Sequence, residues 1–457
     1  MPLPDGRIFR RMTLRATGAI PLLLTALLVA GCSGGLFGGG GDKKVTPTLG
    51  DRQPVLSRIE SGASVDPSLA GVSVVLPPAR VNESWAMASS TPSKSYGHLS
   101  LGDNPTRAWT ATIEGSTSSR RLGAAPIVAD GTLYAVDTAG TVHALDAETG
   151  ARKWQYRPDI ASDLRGVAFG GGLAVAGNRL FATSGTGRVV ALDTADGSEV
   201  WDANPAGPLR DAPTLAFNLV LVMTQDNRII ALNQNDGSLA WQESGSVAQA
   251  GVFGVASPAA GQGTVVAGYS SGELVAYRYE DGRVLWADAL ARTSISTEVG
   301  SISDIDADPI IDSGRVYALG QGGRMAAYEL VTGQRVWELN LSGISTPAMA
   351  GEWLFTLTSD ARLLAIARST GKVRWITQLR RYRNEKKRED SIFWSGPVLA
   401  NNMLYITNSE GELWSASVGE GSANLVAELK KPVSLPPIVV NNTLYVLDDG
   451  GTITAFR

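Results

Sequence analysis

The chain has 457 residues and a formal charge of −4, from 40 basic and 44 acidic side chains, which gives no general attraction to nucleic acid or acidic membranes. Hydrophobic residues make up 44% of the sequence, enough for a large core. Two histidines, His98 and His143, and one cysteine, Cys32, argue against a transition-metal site and exclude an intramolecular disulfide.

The first segment has the pattern of a secretory signal peptide over residues 1–31. Arginines between residues 7 and 15 precede an apolar run over residues 19–30, which is short for a bilayer span. The stretch Val29-Ala30-Gly31-Cys32 resembles the bacterial lipobox, and that resemblance implies cleavage before Cys32 and lipidation of Cys32. Two or three acyl chains anchor a protein stably. The alternative is an ordinary signal peptide or anchor helix with an incidental cysteine.

Residues 32–80 are rich in Gly, Ser and Pro and have weak periodicity, which predicts a lipidated flexible tether. About 45 such residues reach roughly 35–40 Å as a random coil. Ser33, directly after the cysteine, resembles an outer-membrane sorting signal. We therefore expect an outer-membrane anchor on the periplasmic face.

Residues 81–457 contain an internal repeat, first seen in full as "ALDAETGARKW", in which a Gly lies four residues before a Trp. Six copies end at Trp154, Trp201, Trp241, Trp286, Trp337 and Trp375. A seventh copy has Leu425 at the Trp position. A period of about 45 residues with short apolar runs and Gly-containing turns predicts propeller blades of four antiparallel strands.

The copy number predicts an all-β, eight-bladed propeller. The last stretch, from Pro436 to Arg457, holds three strand-like runs, and "TRAWTATIEG" with Trp109 precedes the first full copy. We expect that N-terminal strand to join the last blade and close the ring, which leaves no free sheet edge in it. The tryptophans are predicted to be structural docking residues between blades, because each can bury a large apolar area.

Three further motifs have a structural and a functional interpretation. "GYSSG" (Gly268 to Gly272) matches a nucleophile elbow, but its place between two strands of one blade favours a hairpin turn. The basic loop at 380–388 is either a solvated connector or a contact for a partner or lipid headgroup. In "STEVGSISDIDADP", Asp304, Asp306 and Asp308 alternate. They favour a surface acidic patch for a basic partner over a calcium loop, whose ligand pattern is incomplete.

The repeat resembles that of the pyrroloquinoline-quinone propellers. One branch of that superfamily comprises quinoprotein alcohol dehydrogenases, which use a calcium-bound quinone and, in many members, a vicinal disulfide. This chain has no second cysteine and little sequence for a substrate cap. The resemblance to this branch therefore implies the fold rather than the cofactor, and we expect neither cofactor nor metal.

The whole arrangement resembles the lipoprotein propellers of the outer-membrane β-barrel assembly machinery. In that family, two Asp residues of a connector like "STEVGSISDIDADPII" contact a periplasmic polypeptide-transport-associated domain of the channel subunit. This implies partner contacts by Asp304 and Asp306. A second family contact maps loosely onto "QAGVFG", where Val252 and Phe253 stand in place of a Leu and an Arg, so this half of the contact would be more apolar here.

The resemblance implies a non-catalytic scaffold that binds the channel subunit and assists folding and insertion of β-barrel proteins. Nascent β-barrel chains are then a second class of partner, for which we hypothesise binding by strand addition. Two other hypotheses remain, a quinone-dependent periplasmic dehydrogenase and a periplasmic sensor or polysaccharide-binding propeller. Addition of the quinone and calcium, followed by a dye-reduction assay, tests the first of these. Identification of the binding partners tests the second.

Overall fold

Each copy of the repeat folds into short antiparallel strands because tight turns interrupt it at fixed places. In the first copy, Asp130 and Gly131 have φ values of 48° and 67°, the left-handed pair that favours a two-residue hairpin. The structure, a computed structural model, describes residues 63–205, 207–209, 211–246, 256–290 and 304–457. Within these ranges the helical pieces are two 3₁₀ turns, Pro67–Leu69 and Arg165–Val167, and no helix is long and apolar enough to cross a bilayer.

Eight four-stranded antiparallel sheets form the propeller ring, which confirms the predicted fold class. Strand β1 (Arg107–Thr112) comes first in the chain and belongs to blade eight. Blade one contains β2 (Ile127–Ala129), β3 (Thr132–Val136), β4 (Val142–Asp146) and β5 (Arg152–Tyr156). Blade two contains β6 (Leu173–Ala176), β7 (Arg179–Thr183), β8 (Val189–Asp193) and β9 (Glu199–Ala203). Blade three contains β10 (Thr214–Ala216), β11 (Leu219–Met223), β12 (Arg228–Asn233) and β13 (Leu239–Ser244).

The next blades repeat the same order from the inner to the outer strand. Blade four contains β14 (Ala259–Gly261), β15 (Thr264–Gly268), β16 (Glu273–Arg278) and β17 (Val284–Ala289). Blade five contains β18 (Ile310–Asp312), β19 (Arg315–Gly320), β20 (Arg324–Glu329) and β21 (Arg335–Leu339). Blade six contains β22 (Ala348–Ala350), β23 (Trp353–Leu357), β24 (Arg362–Ala367) and β25 (Val373–Gln378).

A small hairpin, β26 (Tyr382–Asn384) with β27 (Glu389–Ser391), separates blade six from the last two blades. Blade seven contains β28 (Trp394–Ala400), β29 (Met403–Asn408), β30 (Glu412–Ser417) and β31 (Ala423–Glu428). Blade eight has β32 (Ile438–Val440), β33 (Thr443–Leu447) and β34 (Thr452–Phe456), and β1 pairs with β34 as its outer strand. This blade is therefore assembled from two distant parts of the sequence.

A tryptophan on the outer strand docks each of seven blades onto the next one. In blades one to six and in blade eight, the residue before the Trp is an extra, bulged residue in the pairing with the third strand. A bulge re-aims the following side chain. The Trp ring then covers a glycine of the neighbouring blade. For example, a Cβ built on Gly197 would lie 2.5 Å from a ring carbon of Trp154.

The indole nitrogens of these tryptophans extend the same contact. In blades one to six, each Nε1–H donates to a backbone carbonyl three residues before the covered glycine, as from Trp154 to Thr194 at 2.9 Å. Trp109 of blade eight differs, because its Nε1 has no hydrogen-bond partner among the described residues. The equivalent acceptor, the carbonyl of Ala147, receives the hydroxyl of Tyr445 at 2.9 Å instead.

Blade seven has no tryptophan at this position, and the ring geometry supplies the reason. The glycine that receives each Trp lies in the turn between the third and fourth strands of the following blade. In blade eight those strands, β34 and β1, are not joined by a turn. Leu425 therefore has no such glycine to cover, and its side chain is 45% exposed.

Residues 77–102, here called the axial segment, lie across the axis of the ring. Their contacts reach the inner strands or adjoining turns of every blade: Trp85 with Val128, Ala86 with Val175, Lys94 with Thr214, Pro92 with Ala260, Ser93 with Ile311, Pro77 beside Gly351, Leu99 with Ala400, and Asn82 with Asn441. Most of these are backbone hydrogen bonds. A segment that reaches the inner strand or the adjoining turn of all eight blades covers one end of the central channel.

The stretch before the axial segment also lies against the propeller. Val65 forms a parallel bridge with Val373, and the Arg374 guanidinium donates to the carbonyl of Val72 at 2.7 Å. These residues belong to the tether predicted from the sequence, which ends at residue 80. Residues 63–76 instead run along blade six, because their backbone and side chains find partners at its outer strand.

Candidate functional site

A cavity of about 290 Å³ occupies the channel above the axial segment. Trp85, Ala88, Ser89 and Tyr96 of the axial segment line it, together with residues that directly precede the inner strands of the blades. Those residues belong to the connectors that join one blade to the next. The cavity therefore opens on the face of the ring where the connectors run, and the axial segment covers the other end.

A buried lysine provides the positive charge beside this cavity. The Lys94 side chain has no exposed surface, and its Nζ donates to the Ala88 carbonyl at 3.1 Å and the Thr214 hydroxyl at 3.0 Å. A carboxylate oxygen of Asp308 lies 3.9 Å away. Lys94 also has a φ of 64°, a left-handed conformation that the surrounding contacts have to hold in place.

Two carboxyl groups share this environment with Lys94. Asp308 accepts hydrogen bonds from the Ser89 hydroxyl and from the backbone N–H of Ser257, both at 2.9 Å. Asp211 accepts from the Ser257 hydroxyl at 2.9 Å. Burial raises the pKa of Asp211 to about 7, and the nearby Asp308 adds to that effect. One lysine thus balances two acidic side chains whose charges lie at the cavity wall.

Asp304 and Asp306, the predicted partner residues, differ in exposure. Asp304 is 1% exposed, and its carbonyl accepts from the backbone of Gln321 at 2.7 Å. Asp306 is half-buried and lines the cavity. Its Oδ2 has no hydrogen-bond partner among the described residues, and burial, reinforced by Asp304, raises its pKa to about 7.

The expectation of a surface acidic patch at Asp304, Asp306 and Asp308 is wrong. Asp304 and Asp308 are buried, because the connector turns inward here and its backbone bonds to blades four and five. The backbone N–H of Ile305, for example, donates to the Tyr269 carbonyl at 3.2 Å. The alternation of the three residues directs Asp306 and Asp308 towards the channel cavity.

Three other predicted site residues lie outside the described residues. They are Cys32, predicted to be lipidated, and Val252 and Phe253, predicted to contact the partner. Both predictions remain untested.

The two remaining motifs form hairpins. "GYSSG" is the turn between β15 and β16, where the backbone of Gly272 donates to the Tyr269 carbonyl at 3.0 Å, so the predicted hairpin turn is confirmed. The basic loop forms the β26–β27 hairpin. Arg383 pairs with Glu410 at 2.6 Å, whereas Lys386 and Lys387 are exposed between the two strands.

The channel residues do not fit a calcium-bound anionic quinone. Across the described ranges, no three His, Cys, Asp or Glu side chains are grouped closely enough to hold a metal ion. The polar wall contributes the carboxyl groups of Asp211, Asp306 and Asp308, which would repel an anionic ligand. Lys94, the cation that the described residues place beside the cavity, is already engaged by Asp308 and by two oxygen acceptors.

Comparisons with protein families agree with the repeat pattern. A family model described as outer membrane protein assembly factor BamB matches residues 161–377. A second model, described as the β-propeller domain of glucose/ethanol/alcohol dehydrogenases, matches residues 104–172. The first spans several blades, and the second is confined to β1, blade one and the following connector.

Curated relatives and solved structures extend this similarity. The outer membrane protein assembly factor BamB of Yersinia pestis is 25% identical over 360 residues, which are 77% of this chain and 89% of the relative. That of Vibrio cholerae is 33% identical over 254 residues, 56% of this chain and 65% of the relative. The crystal structure of BamB from Moraxella catarrhalis matches with a TM-score of 0.66 at 21% identity, covering 77% of this chain and 99% of that one.

A dehydrogenase shares the architecture to a similar degree. The quinohemoprotein alcohol dehydrogenase from Comamonas testosteroni matches with a TM-score of 0.64 at 15% identity, covering 83% of this chain and 81% of that one. At such identities the two solved structures establish the propeller fold and nothing about chemistry.

Proposed function

This chain is a BamB-like propeller of pyrroloquinoline-quinone-type repeats, and we propose that it is an outer-membrane protein assembly factor. In this proposal it is a non-catalytic, lipid-anchored scaffold on the periplasmic face of the outer membrane. It binds the channel subunit of the β-barrel assembly machinery and assists folding and insertion of β-barrel proteins. The observation that carries the proposal is the similarity to a protein of that name over 77% of this chain and 89% of the relative.

The connector face of the ring is the proposed docking surface. It carries the cavity mouth and Asp306, whose carboxylate has an oxygen without a hydrogen-bond partner among the described residues. An uncompensated, half-buried carboxylate favours a cationic partner group. We assign the contact to Asp306 and give Asp304, which is buried beneath it, a positioning role. Val252 and Phe253 are proposed to supply the apolar part.

The raised pKa of Asp306 makes this contact depend on pH. Near pH 7 its carboxyl is partly protonated in the free protein, because its pKa is about 7. A basic partner binds the ionised form, so association releases a proton. Binding should therefore tighten as the pH rises from about 6 to about 8.

A pull-down from outer membranes tests the docking proposal. The mature chain should co-purify with the channel subunit, and Asp306→Arg should abolish this. Glu420→Arg, a charge reversal at an exposed site in the turn between β30 and β31, on the face of the ring opposite to the connectors, is the matched control and should retain the subunit. Asp304→Arg is unsuitable because Asp304 is 1% exposed, so the change would disturb the fold.

The outcomes separate the site from the function. Equal recovery with all three proteins would remove Asp306 from the contact while leaving the assembly proposal in place. If the channel subunit is never recovered, the scaffold proposal fails. Addition of quinone and calcium, followed by a dye-reduction assay, then tests the dehydrogenase hypothesis directly.

Client β-strands are proposed to bind at blade edges. The outer strand of each of blades two, three and four has a single buried residue, the Trp, with exposed neighbours, as in Glu199–Ala203. An exposed outer strand has unpaired backbone groups that can accept a further strand. Hydrogen exchange should show protection of outer-strand amides when a β-barrel peptide is added, and an unchanged pattern would count against this mode of binding.

A further inference from the structure

The two histidines of the chain are bonded differently. His98 uses both ring nitrogens: its Nδ1 lies 2.7 Å from the carbonyl of Pro77, and its Nε2 accepts from the backbone N–H of Asn402 at 2.9 Å. His143 uses one. Its Nε2 donates to a carboxylate oxygen of Asp137 at 2.8 Å, whereas its buried Nδ1 has no partner within the described structure.

The fold does not require a histidine at this position. His143 lies on β4 immediately before the alanine that pairs with the blade's tryptophan. The equivalent residues of the next five blades are apolar and buried: Val190, Ile230, Val275, Ala326 and Leu364. A valine or leucine would therefore satisfy the packing, and the polar ring in blade one calls for another explanation.

Asp137 has a structural role that does not depend on the histidine. Its Oδ1 accepts from the backbone N–H groups of Ala139 and Thr141, at 2.9 and 2.8 Å, and thereby caps the turn between β3 and β4. Only Oδ2 is left for His143. Because a carboxylate can only accept, this bond fixes the hydrogen on Nε2 and leaves Nδ1 as the nitrogen that needs a polar partner.

His143 lines a groove of about 710 Å³ between the outer strand of blade eight and blade one, within the size range of small-molecule sites. Four arginines line the same groove: Arg120, Arg152, Arg157 and Arg165. Arg120 pairs with Glu114 at 3.0 Å. Arg152 and Arg157 form no ion pair with any described residue, although Asp159 also stands at the rim.

We propose that this groove is a binding site for a small phosphate-bearing anion. Arg152 and Arg157 supply the charge and the planar donors that suit phosphate oxygens. The free Nδ1 of His143, which carries no hydrogen in this tautomer, can accept a hydrogen bond from a P–OH group or from a neighbouring hydroxyl of the ligand. The groove shares no lining residue with the channel cavity, and Asp306 is not among its residues, so variants of the groove and of Asp306 can be tested separately.

Histidine NMR tests the site, because the chain has only two histidines. The full mature chain is labelled with ¹⁵N-histidine and titrated with inorganic phosphate and with glycerol 3-phosphate. The Nδ1 resonance of His143 should shift saturably, while the resonances of His98, whose nitrogens are both bonded, should stay in place. Vesicles containing phosphatidylglycerol form a third arm, which shows whether the phosphate comes from a lipid headgroup.

Two variants and one control make the test specific. Arg152→Gln combined with Arg157→Gln should weaken phosphate binding by about tenfold or more. His143→Val introduces the residue that blade two has at this position and removes the reporting resonance, so its phosphate binding is measured by calorimetry. Binding should be weaker than in the wild type, while the His98 signals report an intact fold. Lys386→Gln with Lys387→Gln removes the same charge from the β26–β27 hairpin and should leave the affinity unchanged.

The results divide cleanly. A His143 shift with the free anions, the vesicles or both supports the site and identifies the source of the phosphate. No shift in any arm overturns the proposal. An equal loss of affinity in the two double variants also overturns it, because binding would then follow net charge and not the groove.

Discussion

Replacement of Gly197 by alanine tests the contact that repeats around the ring. A Cβ at this position would lie 2.5 Å from Cε3 and 2.8 Å from Cζ3 of Trp154. Real Cβ atoms do not approach other atoms so closely, so the indole has to move. That movement would also disturb the hydrogen bond from Trp154 to the carbonyl of Thr194.

The magnitude follows from a comparison with Gly177 in the same blade. Gly177 and Gly197 both have positive φ, 55° and 75°, so an alanine at either site costs about 1–2 kcal/mol in backbone strain. A Cβ at Gly177 would have no atom within 4 Å. Only Gly197→Ala should add the cost of overpacking, about 1–3 kcal/mol. The difference between the two variants is therefore the energy of the crowded indole.

Urea unfolding of the two variants measures that difference. Gly197→Ala should have the lower midpoint, with the slope of the transition unchanged. The reasoning is refuted if both variants have the same midpoint, because the tryptophan would then tolerate the added methyl group. A loss of stability at Gly177 as large as that at Gly197 would show that backbone strain alone decides the outcome.

Three further changes test other parts of the structure by the same unfolding assay. Lys94→Met should lower the free energy of unfolding by about 3–5 kcal/mol, because Asp308 loses its buried counter-ion. The double variant with Asp308→Asn should recover part of this loss. Additive losses of stability would argue against the ion pair. Asp306→Asn should gain stability relative to the wild type as the pH rises from about 4 to about 8. The difference in the free energy of unfolding should reach at most about 4 kcal/mol. The reason is that folding raises the pKa of this carboxyl from 3.8 to about 7, so the fold favours its protonated form and that advantage is lost as it ionises. A pH-independent difference would contradict this. Tyr445→Phe should lower the free energy of unfolding by less than about 1 kcal/mol, because Trp109 Nε1 can donate to the carbonyl of Ala147 in place of the tyrosine hydroxyl. A larger loss would show that Trp109 does not form this bond.

The blades could be predicted because the residues that form their contacts recur at a fixed spacing in the sequence. The glycine of the turn recurs in all seven copies, and a tryptophan follows it four residues later in six of them. The tryptophan of one blade packs on the glycine of the next. The composition of blade eight follows from the same pattern, since a Trp-bearing strand stands before the first copy and the last copy lacks one. Even the absence of Trp at Leu425 has its cause in the missing turn of blade eight.

The axial segment could not be predicted by the same route. Its contacts are mostly single backbone hydrogen bonds to strands far apart in the sequence, as from Ala260 to the carbonyl of Pro92. Such bonds leave no periodic pattern of side chains. A lysine in a Ser-rich stretch is also predicted to be solvent-exposed. Lys94 is instead fully buried, close to Asp308 and Asp211, which lie on connectors more than a hundred residues away.

The site was predicted in part for a related reason. The alternation of Asp304, Asp306 and Asp308 predicted an acidic patch, but sequence alone could not tell which side of the connector faces water. The backbone bond from Ile305 to Tyr269 fixes that orientation and buries Asp304. In the sequence, His143 is one of two histidines, and the apolar residues at the same position of the other blades are the signal that singles it out.

Reconstituted β-barrel insertion tests the proposed function most directly. The assembly machinery lacking its propeller subunit is placed in vesicles, an unfolded β-barrel protein is added, and folding is followed by its heat-modifiable band on a gel. Addition of the mature chain should accelerate folding, and Asp306→Arg should not. No acceleration by the wild-type chain, despite its stable folding, would contradict the assignment of this propeller to outer-membrane protein assembly.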